Sequence, residues 1–337
     1  MPELWFWLVG LMFIAWATLD GFDFGVGILH RFIARTDTER RQVIGSIGPV
    51  WDGNEVWLVA AGGSTLLAFP RLLAAGFSGL YLPVIFAVWA IMLRGASLEL
   101  RSHLGSPLWR SFFDVTFFIS SLLVPLLFGA ALGNVLRGVP LTPEGWFELP
   151  LFASWSPFGE LGVLDWFTVS CGVFVTVALT AHGANWLVLK TDGAVQQKAV
   201  FLQPFLFLAT LVCWVASGVV TFVVAPPNLN APFFIGLVLS IGGAVFAVVR
   251  RSHAFFGSSA FVVGSLVTAI GGMFPVVLRS RPTPELSLTA TSAASHGAGI
   301  DGALVWWIPG VLIAAAYFWW VMRHFRGRVS ADDHSAS

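Results

Sequence analysis

The sequence predicts an all-α integral membrane protein with nine transmembrane helices, and three observations carry that expectation. Hydrophobic residues make up 57% of the 337-residue chain and charged residues 11%, less than half the charged share of an ordinary soluble domain. The apolar residues are gathered into long runs, each able to cross about 30 Å of hydrocarbon as a helix. The Lys and Arg residues fall into alternate connections between those runs. A β-barrel would need only about ten residues per strand in strict alternation, whereas a stretch such as 117–132 is apolar almost without a break.

In chain order the expected spans are 5–29, 49–69, 72–93, 112–135, 161–189, 200–224, 233–249, 254–278 and 303–322. The first has no Lys or Arg ahead of its apolar run and carries Asp20 and Asp23 near its end, which reads as an uncleaved helix rather than a signal peptide. The second opens on Pro49, which suits a first helical turn, and Asp52 and Glu55 complement the positive helix start. Cys171 and Cys213 fall inside spans, where a thiol behaves as a small hydrophobe. Their separation gives neither a disulfide framework nor a metal spacing. The longest connections, 137–160 and 279–301, are too short for a further domain. Residues 1–328 are thus expected to form a single polytopic membrane domain, with 329–337 a small, polar, disordered cytoplasmic tail.

Fourteen of the eighteen Lys and Arg residues lie in odd-numbered connections and the C-terminal tail, and four, Arg71, Arg137, Arg279 and Arg281, in the even ones. The positive-inside rule then puts the N-terminus outside, in the periplasm, and the C-terminus in the cytoplasm. With that orientation Asp20 and Asp23 lie roughly 10 to 15 Å inside the cytoplasmic face, at about 1.5 Å per residue. Three residues apart, they share a helical face. Asp52 and Glu55 sit at a similar depth, and Arg94, Glu99, Arg101 and Asp114 follow near the same face, while the outer halves of these helices hold almost nothing ionisable.

Carboxylates inside a membrane are costly and usually belong to a mechanism. Asp52 and Glu55 also read as helix-start residues partnering Arg94 or Arg101. Asp20 and Asp23 lie mid-helix beside Gly21, Gly25 and Gly27, which would let a neighbouring helix approach closely. A proton path and a buried ion pair are the two readings of that pair. His182, next to Gly183 and Asn185, could ligate a haem or hydrogen-bond across helices. His103 and His253 fall in cytoplasmic connections and His296 in an outer one, so no helix offers a His pair for haem. Trp51 and Trp57 read as interface anchors or packing residues. Nucleotide-binding and zinc-protease patterns are absent, and nothing suggests nucleic acid.

At the second span the stretch Gly48-Pro49-Val50-Trp51-Asp52-Gly53-Asn54-Glu55-Val56-Trp57-Leu58 resembles the signature of subunit II of cytochrome bd-type quinol oxidases. Asp20-Gly21-Phe22-Asp23-Phe24-Gly25-Val26-Gly27, Thr38-Glu39-Arg40-Arg41, Phe77-Ser78-Gly79-Leu80-Tyr81 and Arg94-Gly95 followed by Glu99-Leu100-Arg101 agree in order and spacing. Looser matches, among them Ser156-Pro157-Phe158-Gly159, His182-Gly183-Ala184-Asn185 and Phe274-Pro275, carry the resemblance almost to the end.

The resemblance implies a heterodimer whose subunit I holds two b-type haems, one d-type haem and the quinol-oxidising loop. Subunit II would carry no haem ligand and would fold as two four-helix bundles plus one peripheral helix. The complex would oxidise quinol and reduce oxygen to water, drawing protons from the cytoplasm. Asp20 and Asp52 would then correspond to acids of the proton path at the subunit interface, with Asp23 and Glu55 as neighbours. Asn54, Arg94, Glu99 and Asp114 would be supporting polar groups. Some relatives bind a structural quinone or a small third subunit, and no motif here reports either. The short connection 225–232 departs from relatives with a larger outer surface. Two rival readings are a proton-coupled secondary transporter, for which the expected inverted repeat is not visible, and a membrane scaffold whose acids are only ion pairs.

Overall fold

A computed structural model of the chain describes residues 1–295 and 298–330. Its hub is α1 (Pro2–Ile33), buried without interruption from Asp20 to His30. A capping box in which Thr36 and Glu39 exchange side-chain and backbone hydrogen bonds starts the short α2 (Asp37–Gly45). Then follow α3 (Trp51–Ala68), α4 (Pro70–Gly79), α5 (Tyr81–Leu100) and α6 (Pro107–Arg137). The second half holds α7 (Trp166–Lys190), α8 (Gly193–Val224), α9 (Ala231–Val249) and α10 (Ala254–Met273). A two-stranded antiparallel ribbon, β1 (Val276–Leu278) and β2 (Leu288–Thr289), leads through α11 (Ala290–Ala293) to α12 (Ala298–His324).

Among the described residues eight helices are long and apolar enough to cross a membrane, or nine if α3 and α4 count as one bent span. The expected third span, 72–93, is divided. Residues 70–79 form α4, which turns 117° away from α3, and the long helix begins only at Tyr81. Pro70 causes the bend between α3 and α4, where the expected second span ends: its ring removes an amide donor and pushes the preceding Phe69 out of helical geometry, to ψ 60°. The interruption within 72–93 itself falls at Leu80, whose backbone leaves the helix (φ −112°, ψ 29°) between α4 and α5. Two other boundaries move for comparable reasons. The fifth span starts at Trp166 rather than 161, because Asp165 caps the helix by accepting from the Phe167 and Thr168 amides. The eighth stops at Met273, where Phe274-Pro275 leads into β1.

α1 packs against α3, α6, α7 and α10, α9 packs along α10, and α8 lies on α7. Small residues bring these helices together. Gly25 and Gly183 face one another across the α1–α7 crossing, and Gly236, Gly243, Gly257 and Gly264 line the α9–α10 seam. α12 lies outermost, tied to the bundle by Trp307, whose indole donates to Ser64 Oγ at 3.2 Å. Beyond α12, Val329 bridges to Thr191 and accepts from Gln42. Residues 331–337 of the expected tail, and His296, lie outside the described residues.

Candidate functional site: a buried carboxylate cluster

The acids of α1 are held on the side of that helix facing α3 and α5. Asp20 and Asp23 are fully buried. One oxygen of Asp20 accepts from Arg94 Nη1 at 2.6 Å and the other from the Trp16 indole at 2.9 Å. Arg94 is also fully buried, and its Nη2 donates to Glu55 at 3.0 Å. Its guanidinium lies 4.3 Å from the centre of the Phe24 ring, an additional cation–π contact. Asp23 accepts from the Asn54 amide at 2.7 Å, and the same nitrogen reaches the Leu19 carbonyl at 3.1 Å. Among the described residues Asp23 Oδ1, Asn54 Oδ1 and Arg94 Nε are buried without a hydrogen-bond partner. One guanidinium thus pairs with carboxyl groups from α1 and α3, with Asp23 close by; Asp20, Asp23 and Arg94 are buried and Glu55 is partly exposed.

Of the residues singled out in the sequence, Asp20, Asp23, Asn54, Glu55 and Arg94 come together here. Asp52 does not join them, for it projects from the exposed side of α3 alongside Val56 and Val59. Glu99 is exposed at the end of α5, on the rim of a separate cavity between the α2–α3 turn and the segment after α12. Asp114 belongs to a second network. It accepts from Arg101 at 2.5 Å and from Arg40 at 2.6 Å, with His30 Nε2 3.4 Å away. Asp37 extends that network, accepting from Arg101 at 2.8 Å, Arg41 at 3.0 Å and Arg110 at 3.1 Å. Trp16 was not evident in the sequence as a site residue, although its spacing of four from Asp20 on one helix would have indicated it.

His182 holds α1, α7 and α10 together. Its Nδ1 lies 2.7 Å from Ser258 Oγ and its Nε2 3.1 Å from the Thr18 carbonyl. With both ring nitrogens engaged and Phe255 stacked on it at 4.9 Å, it fits cross-helix hydrogen bonding and not haem ligation. No set of three or more His, Cys, Asp and Glu side chains among the described residues is grouped to hold a metal ion. At the other end of the bundle Arg137 pairs with Asp165 and donates to Asn134 Oδ1 at 2.7 Å. This ties the end of α6 to the start of α7.

Outside the spans, Asp37 and Glu39 titrate below their ordinary values. Partial burial raises both, and hydrogen bonds outweigh it, from Arg101 and the neighbouring arginines for Asp37 and from Lys198, Arg35 and Thr36 for Glu39. A carboxyl with a lowered folded-state value contributes stability that is complete above its unfolded value and is lost as pH falls through the folded one. Acidification below about pH 4 is therefore expected to loosen α2 before the spans, read as faster amide exchange in residues 37–45. Glu39→Gln should remove part of that acid sensitivity.

The fold and this site define a class: a multi-span helical membrane protein with an acid–guanidinium cluster buried between its first helices. The family described as "Cytochrome bd terminal oxidase subunit II" matches residues 1–325. Cytochrome bd-I ubiquinol oxidase subunit 2 of Escherichia coli (strain K12) is 33% identical over 374 residues, covering 98% of this chain and 95% of that protein. A probable cytochrome oxidase subunit 2 of Haemophilus influenzae is 32% identical over 364 residues with the same coverage. Cytochrome bd ubiquinol oxidase subunit 2 of Bacillus subtilis is 30% identical over 305 residues, covering 88% and 87%. A chain in the structure of bd oxidase from Geobacillus thermodenitrificans superposes with a TM-score of 0.74 at 18% identity, covering 96% of this chain and 98% of that one. The chain belongs to the cytochrome bd terminal oxidase subunit II family. It is a multi-pass protein of the bacterial cytoplasmic membrane and a component of a respiratory oxidoreductase.

Proposed function

We propose that this chain partners a haem-bearing subunit I in a quinol:oxygen oxidoreductase and lines the path by which cytoplasmic protons reach the oxygen-reducing haems. The observation that carries the reading is the grouping of buried Asp20 and Asp23 and partly exposed Glu55 near the single cation Arg94, which pairs with Asp20 and Glu55. One positive charge cannot neutralise three carboxylates in a medium of low dielectric, so the cluster has capacity to hold a proton and pass it on. Asp23 Oδ1, buried with no donor, is an open acceptor within it. Asp52, on the exposed face of α3, would stand where subunit I packs and hand protons across the interface. In this reading the N-terminus is periplasmic, the cluster lies toward the cytoplasm, and the helices form two four-helix bundles with α12 peripheral.

The haems, when present in the complex, supply oxygen reduction. This chain's own work is to position the carboxyls and exclude bulk water around them. The apolar cavity of about 220 Å³ lined by Leu132, Phe174, Trp214, Phe222 and Phe261 suits the isoprenoid tail of a structural quinone, with Arg279 at its edge. A small third subunit, if one binds, would use lipid-facing surface.

The test is quinol-driven oxygen consumption by the purified complex carrying Asp20→Asn or Asp52→Asn, with haem spectra recorded on the same samples. Full haem content with turnover reduced on the order of a hundredfold is expected, the usual contribution of a positioned proton-transfer group. Normal turnover in both variants would sink the relay. Loss of haem would instead favour a scaffold, the reading supported by the Asp20–Arg94 ion pair. Solute transport by the isolated chain would point to a transporter.

A further inference from the structure

The second network, at the turn between α1 and α2, carries more positive charge than the acids among the described residues can neutralise. Among the described residues the acids paired with Arg40, Arg41, Arg101 and Arg110 are Asp37 and Asp114. Glu39 does not contribute, being engaged by Lys198 at 2.9 Å and by the Arg35 and Thr36 amides. Arg31 and Arg35 add exposed positive charge beside it. Asp37 itself is 37% exposed, so the network opens to the surface.

Three guanidinium donors in this knot, Arg40 Nε, Arg101 Nη1 and Arg110 Nε, are buried without an acceptor among the described residues. Arg101 is almost wholly buried, and a buried charged donor without a partner is expensive. The start of α6 adds further donors, because its N-cap Ser106 makes no side-chain cap and leaves first-turn amides free. Around the knot the apolar side chains of Phe32, Leu104, Leu108 and Phe112 are exposed. Phe32 meets Phe118 edge-on at 5.7 Å, continuing the apolar surface along α6.

Cationic excess, buried guanidinium donors without an acceptor and an exposed apolar rim at the end of two spans together match the headgroup layer of a bilayer. We infer that the Arg40–Arg101–Arg110 knot binds the phosphate of an anionic phospholipid, whose acyl chains lie against Phe32, Leu108 and Phe112. A zwitterionic headgroup brings its own cation and would leave the charge excess in place. A carboxylate from a neighbouring protein would satisfy the charge but has no use for the apolar rim. The inference stands independently of the proton path, since none of its residues belongs to the Asp20 cluster.

The test is native mass spectrometry of the complex with its haem-bearing partner, reconstituted in phosphatidylcholine with rising phosphatidylglycerol. Wild type should retain phosphatidylglycerol selectively, and Arg40→Gln and Arg110→Gln should each weaken retention about fivefold, the effect of one basic residue at a membrane surface. Arg326→Gln, in the exposed segment after α12, should leave it unchanged. Haem spectra certify that each variant is folded, and Arg41→Gln, at a half-exposed residue whose partner among the described residues is Asp37, is the milder substitution if either fails. Equal retention of the two lipids would overturn the inference, as would unchanged retention in both variants. Displacement of phosphatidylglycerol by inorganic phosphate alone would make this a free-phosphate site. Release of the partner subunit by Arg110→Gln, with no lipid retained by wild type, would make it an inter-subunit ion pair.

Discussion

Arg94→Gln is expected to prevent assembly of the complex, with little chain recovered alongside its haem-bearing partner. Arg94 is the one cation shared by Asp20 and Glu55, and it contacts them at 2.6 and 3.0 Å with no exposure of its own. Removing one partner of a buried ion pair typically costs about 3 to 5 kcal/mol, because the remaining charge stays desolvated. Here two carboxylates lose their cation at once, with Asp23 nearby adding like charge. The effect separates from a direct loss of proton transfer by pairing substitutions. Arg94→Gln with Asp20→Asn and Glu55→Gln removes the stranded charges and should restore recovery of haem-containing complex without restoring oxygen consumption. If Arg94→Gln alone yields normal complex at normal yield, the ion pair is not what holds the cluster.

The chemistry of this cluster was legible in the sequence to different depths. Asp20, Asp23 and the glycines beside them stand out because polar and small residues interrupt an apolar run, and the structure puts all of them in buried contacts. The partnership of Glu55 with Arg94 was one of two readings, since both could be placed near one face but their helices could not be docked from spacing alone. Asp52 is the clearest limit. It lies three positions from Glu55, about 60° around a helix, and that small rotation separates a residue held by Arg94 from one facing outward. The expected third span also ran across the break at Leu80, because no charge marks the junction of α4 and α5, whereas the bend at Pro70 coincides with the expected boundary between the second and third spans. The Asp37–Arg101–Asp114 network was legible only in part. Arg101 and Asp114 stand out near one face of the membrane, but Asp37 and Arg40 read as ordinary loop charges, and only the folding of α2 onto the ends of α5 and α6 brings them together.

The glycine crossing that positions Asp20 and Asp23 yields the second large effect. Gly25→Val is expected to abolish the native packing of α1 on α7. A Cβ at Gly25 would lie 2.0 Å from the Leu179 carbonyl oxygen and 2.8 Å from the Gly183 amide nitrogen, and a Cβ at Gly183 would meet the Gly25 backbone at 2.4 Å. Both obstacles are backbone, so no rotamer change relieves the clash, and overpacking that ordinarily costs about 1 to 3 kcal/mol becomes a displacement of the helix itself. Because Asp20 and Asp23 lie on the same helix within two turns, the displacement would also pull them from Arg94 and Asn54. Gly25→Ala should show the same direction with a smaller loss. Gly53→Ala is the control: nothing lies within 4 Å of its Cβ position, and alanine is the better helix former. Thermal unfolding and haem content of the purified complexes measure the contrast. A Gly25→Val complex as stable as Gly53→Ala would show that the α1–α7 crossing does not depend on glycine, and that the acids are held in place by their own ion pairs.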